Sequence, residues 1–333
     1  MSGWPIYSGG EPHDGIDDLP PPPNWRAFDG GPPIDHDTIE DIDTAPSIAR
    51  RLGVDNSRKP SEAEVQMVNA ALYLRRPLLV TGNPGVGKST LAYGVAKELK
   101  LGPVLRWPIT TRSTLHEGLY HYDPIGRLRE ENLRKIRGEP LAAEEDDIGR
   151  HIRLGPLGTA LLPYRKPRVL LVDEIDKSDI DLPNDLLNVF EEGEYEIDEL
   201  TRLPEEVDVV EVMTADQGRA QVRRGTVRCC AFPFVVLTSN GEREFPPPFL
   251  RRCLRLDIQP PDDKQLPAIL AAHLGAQAAA NANERIRDFI TKRDQGAALT
   301  TDQLLNAVYL ATSGGSDQSL DDVVSAVMRP LTQ

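Results

Sequence analysis

The residue types best suited to chemistry form a glycine-rich turn that ends in a lysine and two hydroxyl side chains. This turn runs from Gly82 to Thr90 and has the pattern G-x-x-x-x-G-K-S. Its glycines allow positive φ and a close backbone approach to phosphate oxygens. Lys88 would contact the β- and γ-phosphates, and the Ser89 hydroxyl would complete a Mg²⁺ shell. The candidate nucleotide-binding residues are Gly82, Asn83, Pro84, Gly85, Val86, Gly87, Lys88, Ser89 and Thr90.

Two adjacent acids follow an apolar segment about 80 residues further along the chain. At the end of such a strand, Asp173 can hold Mg²⁺ through water, and Glu174 can activate the water that attacks a γ-phosphate. Each motif alone also fits a purely structural interpretation, as a glycine-rich connector or as solvated acids. Together they predict an ATP-hydrolysing site. The following residues 176–179 lack the Asn of a guanine-binding N-K-x-D motif, which argues against GTP.

Two later segments supply further polar groups. Asn240 ends an apolar strand, where it can hydrogen-bond the attacking water or the γ-phosphate. The alternative is a turn-forming Asn before Gly241. Arg251 and Arg252 follow a proline-rich segment, which suits an arginine finger presented to a neighbouring subunit. The alternative is a surface pair that forms salt bridges.

To bring these residues to one site, the apolar strands that precede them should form a parallel sheet covered by helices on both faces. The predicted fold class is therefore α/β. Apolar runs predict strands at 77–81, 103–109, 168–172 and 234–240. Apolar spacing and a capping box at Ser61 predict helices over 61–72, 91–99, 127–137 and 181–191, with a weaker pattern at 39–52. The alternating segments 194–197 and 207–213 predict exposed hairpin strands, with a turn at 223–225. Helices at 266–274, 283–293, 301–311 and 320–328 predict a small all-α lobe.

A chain of 333 residues is long for one core, so two lobes and a tail are expected. Residues 1–50 contain ten acids against Arg26 and Arg50, a net charge of -8, together with a run of four prolines. This composition predicts a disordered acidic tail. In the alternative interpretation, Trp25 and Phe28 are aromatic anchors for a partner. The predicted domains are a tail at 1–50, an ATPase core at 51–260 and a helical lid at 261–333.

Composition also excludes several classes of protein. The net charge of -14 and a pI near 5.0 argue against a nucleic-acid or membrane binder. The three cysteines lack C-x-x-C spacing and are expected to be reduced. The histidines form no zinc-binding pattern. No apolar run approaches the length of a membrane span. A cytoplasmic protein is therefore expected.

The order of these motifs resembles that of AAA+ ATPases. A P-loop, an Asp-Glu strand, an Asn-ended strand, an arginine pair and a C-terminal helical lobe follow one another over about residues 60–312. The detail is similar to the MoxR-like branch. Its marks are Gly155-Pro156-Leu157 ahead of the Asp-Glu strand, a hairpin-bearing insertion, and the strand end at Thr238-Ser239-Asn240.

The resemblance implies a role for each motif. The glycine-rich turn would be Walker A, Asp173 and Glu174 would be Walker B with Glu174 catalytic, and Asn240 would be sensor 1. Arg252 would be the arginine finger, while Arg251 replaces an Asp of the family pattern. A second departure lies at residues 299–303, where the family's lid helix carries a sensor 2 arginine and this chain has none.

The resemblance further implies a ring, expected to be a hexamer, that uses ATP and Mg²⁺ to remodel a protein client. A protein with a von Willebrand factor A domain is the first partner to expect. Two alternatives stay open. One is a nucleic-acid-coupled motor, for which Arg219, Arg223, Arg224 and Arg228 would form a basic patch. The other is an ATP-gated assembly switch with weak hydrolysis, which the missing lid arginine favours.

Overall fold

A five-stranded parallel sheet lies at the centre of the protein. The computed structural model describes residues 4–35, 60–137, 148–263, 265–295, 299–313 and 318–329. The strands of the central sheet are β1 (Leu78–Thr81), β2 (Leu105–Pro108), β5 (Val169–Asp173), β10 (Phe234–Ser239) and β11 (Leu254–Asp257). Their order is β11-β1-β10-β5-β2, with every pair parallel. The predicted α/β class is confirmed, and β11 is a fifth strand that the sequence analysis did not predict.

Burial explains the order of the strands. Every residue of β5 and β10 is buried, as continuous apolar strands in the middle of a doubly covered sheet should be. The edge strand β2 instead alternates buried and exposed residues. The register places Leu237 beside Val172, so the residues that end β10 and β5 lie side by side. The carboxyl edge of the sheet therefore collects the polar residues of three strands.

Helices cover both faces of this sheet. On one face lie α1 (Glu62–Leu74) and α2 (Lys88–Glu98), and on the other lie α3 (Leu115–Leu119), α5 (Pro156–Ala160), α6 (Leu182–Glu192) and α8 (Pro247–Arg252). Ser61 is the N-cap of α1, since its hydroxyl accepts the Glu64 N–H at 3.2 Å and donates to Glu64 Oε1 at 3.2 Å. The first of these bonds is one half of the predicted capping box. α2 starts directly after Gly87, so its N-terminus faces the glycine-rich turn.

A second sheet carries the insertions. Its six strands are β3 (Tyr120–Tyr122), β4 (Ile152–Leu154), β6 (Glu194–Glu196), β7 (Val209–Met213), β8 (Arg219–Arg223) and β9 (Thr226–Arg228), in the order β3-β4-β7-β8-β9-β6. Two helices accompany it, α4 (Pro124–Arg137) and α7 (Asp198–Thr201). The turn predicted at 223–225 is confirmed, with positive φ at Arg224 and Gly225. The predicted strands β6 and β7 form, but β6 pairs with β9 and β7 with β8.

Residues 4–35, here called the N-terminal segment, fold against the core, so the predicted disorder of residues 1–50 is wrong for this part. Ile6, Tyr7 and Ile16 are buried in the apolar cluster that contains α1 and α2. Phe28 stacks on Phe232 with ring centroids 5.4 Å apart, whereas Trp25 is 75% exposed. Phe28 is therefore an anchor within the chain.

Two core side chains explain how this proline- and glycine-rich chain is held without strands. Asn69, which is fully buried, accepts the N–H groups of Ile6 and Tyr7 and donates to the Tyr7 carbonyl at 2.7 Å. Glu98 accepts the N–H groups of Ser8 and Gly10. Composition predicted disorder because it cannot show that distant residues supply these hydrogen-bond partners.

A separate helical cluster follows the central sheet. It consists of α9 (Gln265–Leu274), α10 (Ala276–Asn281), α11 (Asn283–Asp294), α12 (Thr301–Ser313) and α13 (Gln318–Val327). Four of these helices were predicted, and α10 is additional. Leu266, Leu270, Phe289 and Leu304 form its core. The helix predicted at 39–52 lies outside the described residues, and the domain boundaries stay a prediction. No helix in the described ranges is long and apolar enough to cross a bilayer.

Candidate nucleotide-binding site

A cavity of about 490 Å³ lies along α2 at the carboxyl edge of the central sheet. This volume falls within the usual range of ligand pockets. Its walls come from the glycine-rich turn, the ends of β5 and β10, the N-terminal segment and the helical cluster. Most of the sequence-predicted site residues line it, namely Pro84, Gly85, Val86, Gly87, Lys88, Ser89, Thr90, Asp173, Glu174 and Asn240.

The glycine-rich turn needs glycine at Gly82 and Gly85. Both adopt positive φ, 145° and 77°. A Cβ on Gly82 would lie 2.4 Å from the Ile258 carbonyl oxygen, and one on Gly85 would lie 3.2 Å from the Thr300 Cβ. The turn is therefore closely packed between β11 and the start of α12, with its N–H groups at a helix N-terminus suited to an anion.

The Lys88 side chain is enclosed by the turn that it follows. Its Nζ donates to the carbonyl oxygens of Gly82 at 2.6 Å and Asn83 at 3.0 Å, and to Asn240 Oδ1 at 2.7 Å. Burial lowers the pKa of Lys88, and nearby carboxylates, led by Asp176, oppose that shift. The contact with Asn240 brings the predicted phosphate-binding lysine and the predicted sensor together, across 152 residues of sequence.

Asp173 is the centre of a hydrogen-bond cluster. Its Oδ1 accepts the Ser89 hydroxyl at 2.8 Å and the Thr238 hydroxyl at 2.9 Å. Its Oδ2 accepts Arg106 Nη2 at 2.6 Å and Nε at 3.2 Å. Burial acts to raise the pKa of Asp173, but the hydrogen bonds from Arg106, Ser89 and Thr238 hold that pKa below its ordinary value. Asp173 is therefore an anion at neutral pH.

The donor set at this point fits Mg²⁺. The Ser89 hydroxyl and Asp173 carboxylate are oxygen ligands, which Mg²⁺ prefers, and it usually completes its shell with water and substrate phosphates. Within the described ranges, no group of three or more His, Cys, Asp or Glu side chains is placed to hold a metal ion. Ser89 and Asp173 would supply two oxygen ligands, and the rest of the Mg²⁺ shell would come from water and phosphate oxygens.

Glu174 has an unusual backbone and a local ion pair. Its φ of 63° and ψ of 50° lie in the left-handed region, which is rare for residues other than glycine, Asn and Asp. Its N–H donates to the Thr238 hydroxyl at 2.8 Å. Its carboxylate accepts Lys177 Nζ at 2.8 Å, and both side chains are about two-fifths exposed. Glu174 therefore lines the cavity with its carboxylate held by a lysine three residues on.

Asp176 positions the loop after β10. This residue is 3% exposed, and its Oδ2 accepts the N–H groups of Asn240 at 2.8 Å and Glu242 at 3.1 Å. From the sequence, Asp176 entered only as part of the rejected guanine-binding motif. Its position three residues after the end of β5 was the available signal, because an acid close to a strand end lies near the ends of the neighbouring strands.

Arg251 and Arg252 lie elsewhere. Both lie at the C-terminal end of α8, and neither belongs to the described residues that line the cavity. Arg252 Nε donates to Glu191 Oε1 at 2.8 Å, and the backbone carbonyl of Arg251 accepts Arg76 Nη1 at 3.4 Å. Within one chain, the two arginines are therefore not part of the site that the other residues form.

Two walls of the cavity were missed by sequence reasoning. Tyr7, Gly9 and Gly10 line it from the N-terminal segment, and Ile269 and His273 line it from α9. No local motif marks these residues. At the start of α12, Thr301 and Asp302 line the cavity. They belong to the segment 299–303, for which the resemblance led us to expect an arginine.

Arg106 was also missed by sequence reasoning. It is the one charged residue of β2, and its exposed position in an alternating strand beside β5 places it near Asp173. From the sequence, residues 103–109 were predicted only as a strand. Because strand neighbours are set by tertiary pairing, the partner of Arg106 could not be read from the sequence.

Comparison with known families agrees with this geometry. Residues 77–253 match the family described as AAA domain (dynein-related subfamily). The match covers more than half of the chain and includes the glycine-rich turn, Asp173, Glu174, Asn240 and the arginine pair. The chain therefore belongs to this family. It matches no curated protein sequence.

Proposed function

We propose that this AAA-domain protein binds ATP in the cavity along α2 and hydrolyses it to ADP and phosphate. The observation that carries the proposal is the convergence of separate segments on one cavity. Lys88 contacts Asn240, and Ser89 contacts Asp173, although 152 and 84 residues separate these pairs. Membership of the AAA-domain family supports the same activity.

The residues divide the work of hydrolysis. Lys88 would exchange its contacts with the Gly82 and Asn83 carbonyls for β- and γ-phosphate oxygens. Glu174 would orient the attacking water and accept its proton, once its carboxylate leaves Lys177. Asn240 would hold that water or the γ-phosphate. Ser89 and Asp173 would hold Mg²⁺, which neutralises phosphate charge when it is bound.

A ring assembly belongs to the proposal. Arg251 and Arg252 are exposed or half-buried on α8, away from the cavity of their own chain. An arginine finger supplied by a neighbouring subunit would complete the site, and this supports a ring, expected to be a hexamer. Which of the two arginines serves as the finger stays open. Arg252 already pairs with Glu191, so it would have to leave that ion pair in order to reach a neighbour's phosphate.

A protein client is the second part of the proposal. The helix α4 exposes four large apolar side chains, and none of its residues is buried. These residues are Ile125, Leu128, Leu133 and Ile136. An exposed apolar face of this kind suits a protein-binding surface. We propose a MoxR-like remodelling ATPase of the cytoplasm, with a von Willebrand factor A-domain protein as the first partner to test.

The structure gives little support to the nucleic-acid-coupled alternative. Each arginine of the basic patch has an acidic partner: Arg219 pairs with Glu211, Arg223 and Arg224 with Asp208, and Arg228 with Asp29 and Glu194. These ion pairs reduce the positive charge available to phosphates. Stimulation of ATP hydrolysis by DNA or RNA would revive this alternative.

The assembly switch with weak hydrolysis is favoured by two observations. Lys177 holds the carboxylate of Glu174, and the lid places Thr301 and Asp302 rather than an arginine at the cavity. Slow turnover combined with ATP-dependent assembly would support the switch.

The deciding experiment measures mass in solution with and without ATP and Mg²⁺, for the wild type and for Glu174→Gln, alongside ATPase rates. The proposal expects ATP to convert a small species into a ring, with hydrolysis only in the wild type. If the protein stays monomeric while the wild type hydrolyses ATP, no arginine acts between subunits and the ring is wrong. If the wild type neither assembles nor hydrolyses ATP, the whole proposal is wrong.

A further inference from the structure

Arg106 places a guanidinium group where it competes for the predicted metal ligand. Its Nη2 and Nε both donate to Asp173 Oδ2, while Ser89 and Thr238 donate to Oδ1. A cation that binds Asp173 meets the positive charge of Arg106 on the same carboxylate. Since like charges a few ångströms apart repel strongly in a partly buried site, Arg106 and a metal ion cannot both keep close contact with Oδ2.

The Arg106 side chain has room to move within the cavity. It is 46% exposed and lines the same cavity as the glycine-rich turn. The basic residues among the described cavity-lining residues are Lys88, Arg106 and His273. At the start of α12, the lid brings Thr301 and Asp302 instead of a cation. Arg106 is therefore the strongest candidate for a second fixed positive charge at the phosphates.

We propose that Arg106 distinguishes the triphosphate from the diphosphate within its own chain. It pairs with Asp173 when no nucleotide is bound, and it transfers to the γ-phosphate when the metal nucleotide occupies Asp173. This inference rests on the proposed function. In this proposal, Arg106 on β2 supplies the positive charge at the phosphates that an arginine of the lid would otherwise supply. A guanidinium suits this role because its planar fork binds phosphate oxygens in pairs.

Glu174, another acid that lines the cavity, is a weaker candidate partner for Arg106. Glu174 already accepts Lys177 Nζ at 2.8 Å, and pairing with Arg106 would also draw its carboxylate away from water. Of the groups that the nucleotide brings into the site, the γ-phosphate carries the largest negative charge. Arg106 would consequently stabilise the ATP-bound state and do nothing comparable for ADP, which has no γ-phosphate.

The test compares the affinities of full-length proteins for ATPγS and ADP, each with Mg²⁺, by titration calorimetry. For Arg106→Gln, we expect the dissociation constant of ATPγS to rise about tenfold or more. The dissociation constant of ADP should not rise, because ADP offers Arg106 no γ-phosphate and the metal of Mg-ADP no longer competes with Arg106 for Asp173. Arg255→Gln is the matched control, because Arg255 is an exposed arginine on the other edge of the same sheet, and it should change neither value.

The opposite results are equally clear. Equal changes for ATPγS and ADP would mean that Arg106 only balances the charge of Asp173, and would overturn the inference. Thermal unfolding of the nucleotide-free variants checks folding. If Arg106→Gln does not fold, Arg106→Met removes the charge and keeps an apolar stem, and an unchanged ratio of the two affinities in that variant would overturn the inference. Failure of the wild type to bind either nucleotide would instead show that the proposed function is wrong, and the inference would fall with it.

Discussion

The two ends of the cavity are built in different ways. At the phosphate end, Lys88, Ser89, Asp173 and Asn240 come from three short motifs at strand ends. The other part of the wall, here called the distal end, consists of Tyr7, Gly9 and Gly10 from the N-terminal segment and Ile269 and His273 from α9. The first end depends on local backbone geometry, and the second depends on contacts between remote parts of the chain.

This difference indicates how the two ends should respond to amino-acid substitutions. A phosphate binds to N–H groups and one lysine, which a single loop can supply. The distal end has to be held by buried polar side chains such as Glu98 and Asn69, so its loss should appear first as lost stability. The predictions below separate these effects.

The largest expected effect is on nucleotide affinity. Lys88→Ala should raise the dissociation constant of ATPγS by about a hundredfold, because a buried charge-to-phosphate contact is lost. Calorimetry with Mg²⁺ measures this. Lys97→Ala is the matched control, since Lys97 is an exposed lysine on the same helix. Near-normal affinity of Lys88→Ala would show that the phosphate end is misassigned.

At the distal end, Glu98→Ala should lower the free energy of unfolding by about 2–4 kcal/mol. The Glu98 carboxylate is 2% exposed and accepts Ser8 N–H at 2.7 Å, the Ser8 hydroxyl at 2.9 Å and Gly10 N–H at 2.9 Å. Its removal leaves these donors unpaired. Urea denaturation measures the change.

Glu192→Ala, at an exposed position that ends α6, is the control for this variant. In Glu98→Ala, faster hydrogen exchange should be confined to the N-terminal segment and its contacts. A change at the phosphate end as large as that in Lys88→Ala would contradict the division of the cavity into two ends.

Within the phosphate end, Lys177→Met should raise the ATPase rate, by at most about fivefold. Both side chains of the Lys177–Glu174 ion pair are about two-fifths exposed, so solvent screens the pair and releasing the Glu174 carboxylate gains little free energy. Steady-state phosphate release measures the rate, with Lys292→Met as the control for an exposed ion-paired lysine in the helical cluster. A lower rate in Lys177→Met would mean that Lys177 assists Glu174.

The smallest expected effect concerns thiol labelling beside the N-terminal segment. Burial raises the pKa of Cys229 and of Cys253 to about 12. Because the thiolate is the reactive form, labelling of both should keep rising with pH well beyond the usual pKa of a thiol near 8.5. Mass spectrometry after alkylation at pH 8 and pH 10 follows each site.

Cys229 also reports on the N-terminal segment, since its carbonyl accepts the Gly30 N–H at 3.0 Å. Labelling of Cys229 should speed up in a variant that lacks residues 1–35, while Cys253 labels as before. Equal acceleration of the two cysteines would indicate general loosening instead.

Sequence patterns predicted most of the central sheet and its helices. Continuous apolar runs identified β1, β5 and β10, because a strand covered on both faces must be apolar along its whole length. The edge strand β11 (Leu254–Asp257) was missed because it is a short segment with no continuous apolar run. The pairing of β6 with β9 was missed because register depends on neighbours that are distant in sequence.

The sequence by itself determined the phosphate end, since Gly82, Lys88, Asp173 and Asn240 belong to short motifs whose types and spacing are dictated by the ligand's charge. Only the tertiary structure decided the rest. It placed Arg106 on Asp173, Lys177 on Glu174 and the N-terminal segment on Asn69 and Glu98. The physical reason is that a motif binds with its own backbone, whereas a buried charge or an unpaired N–H group is satisfied by whichever side chain the fold brings within hydrogen-bonding distance.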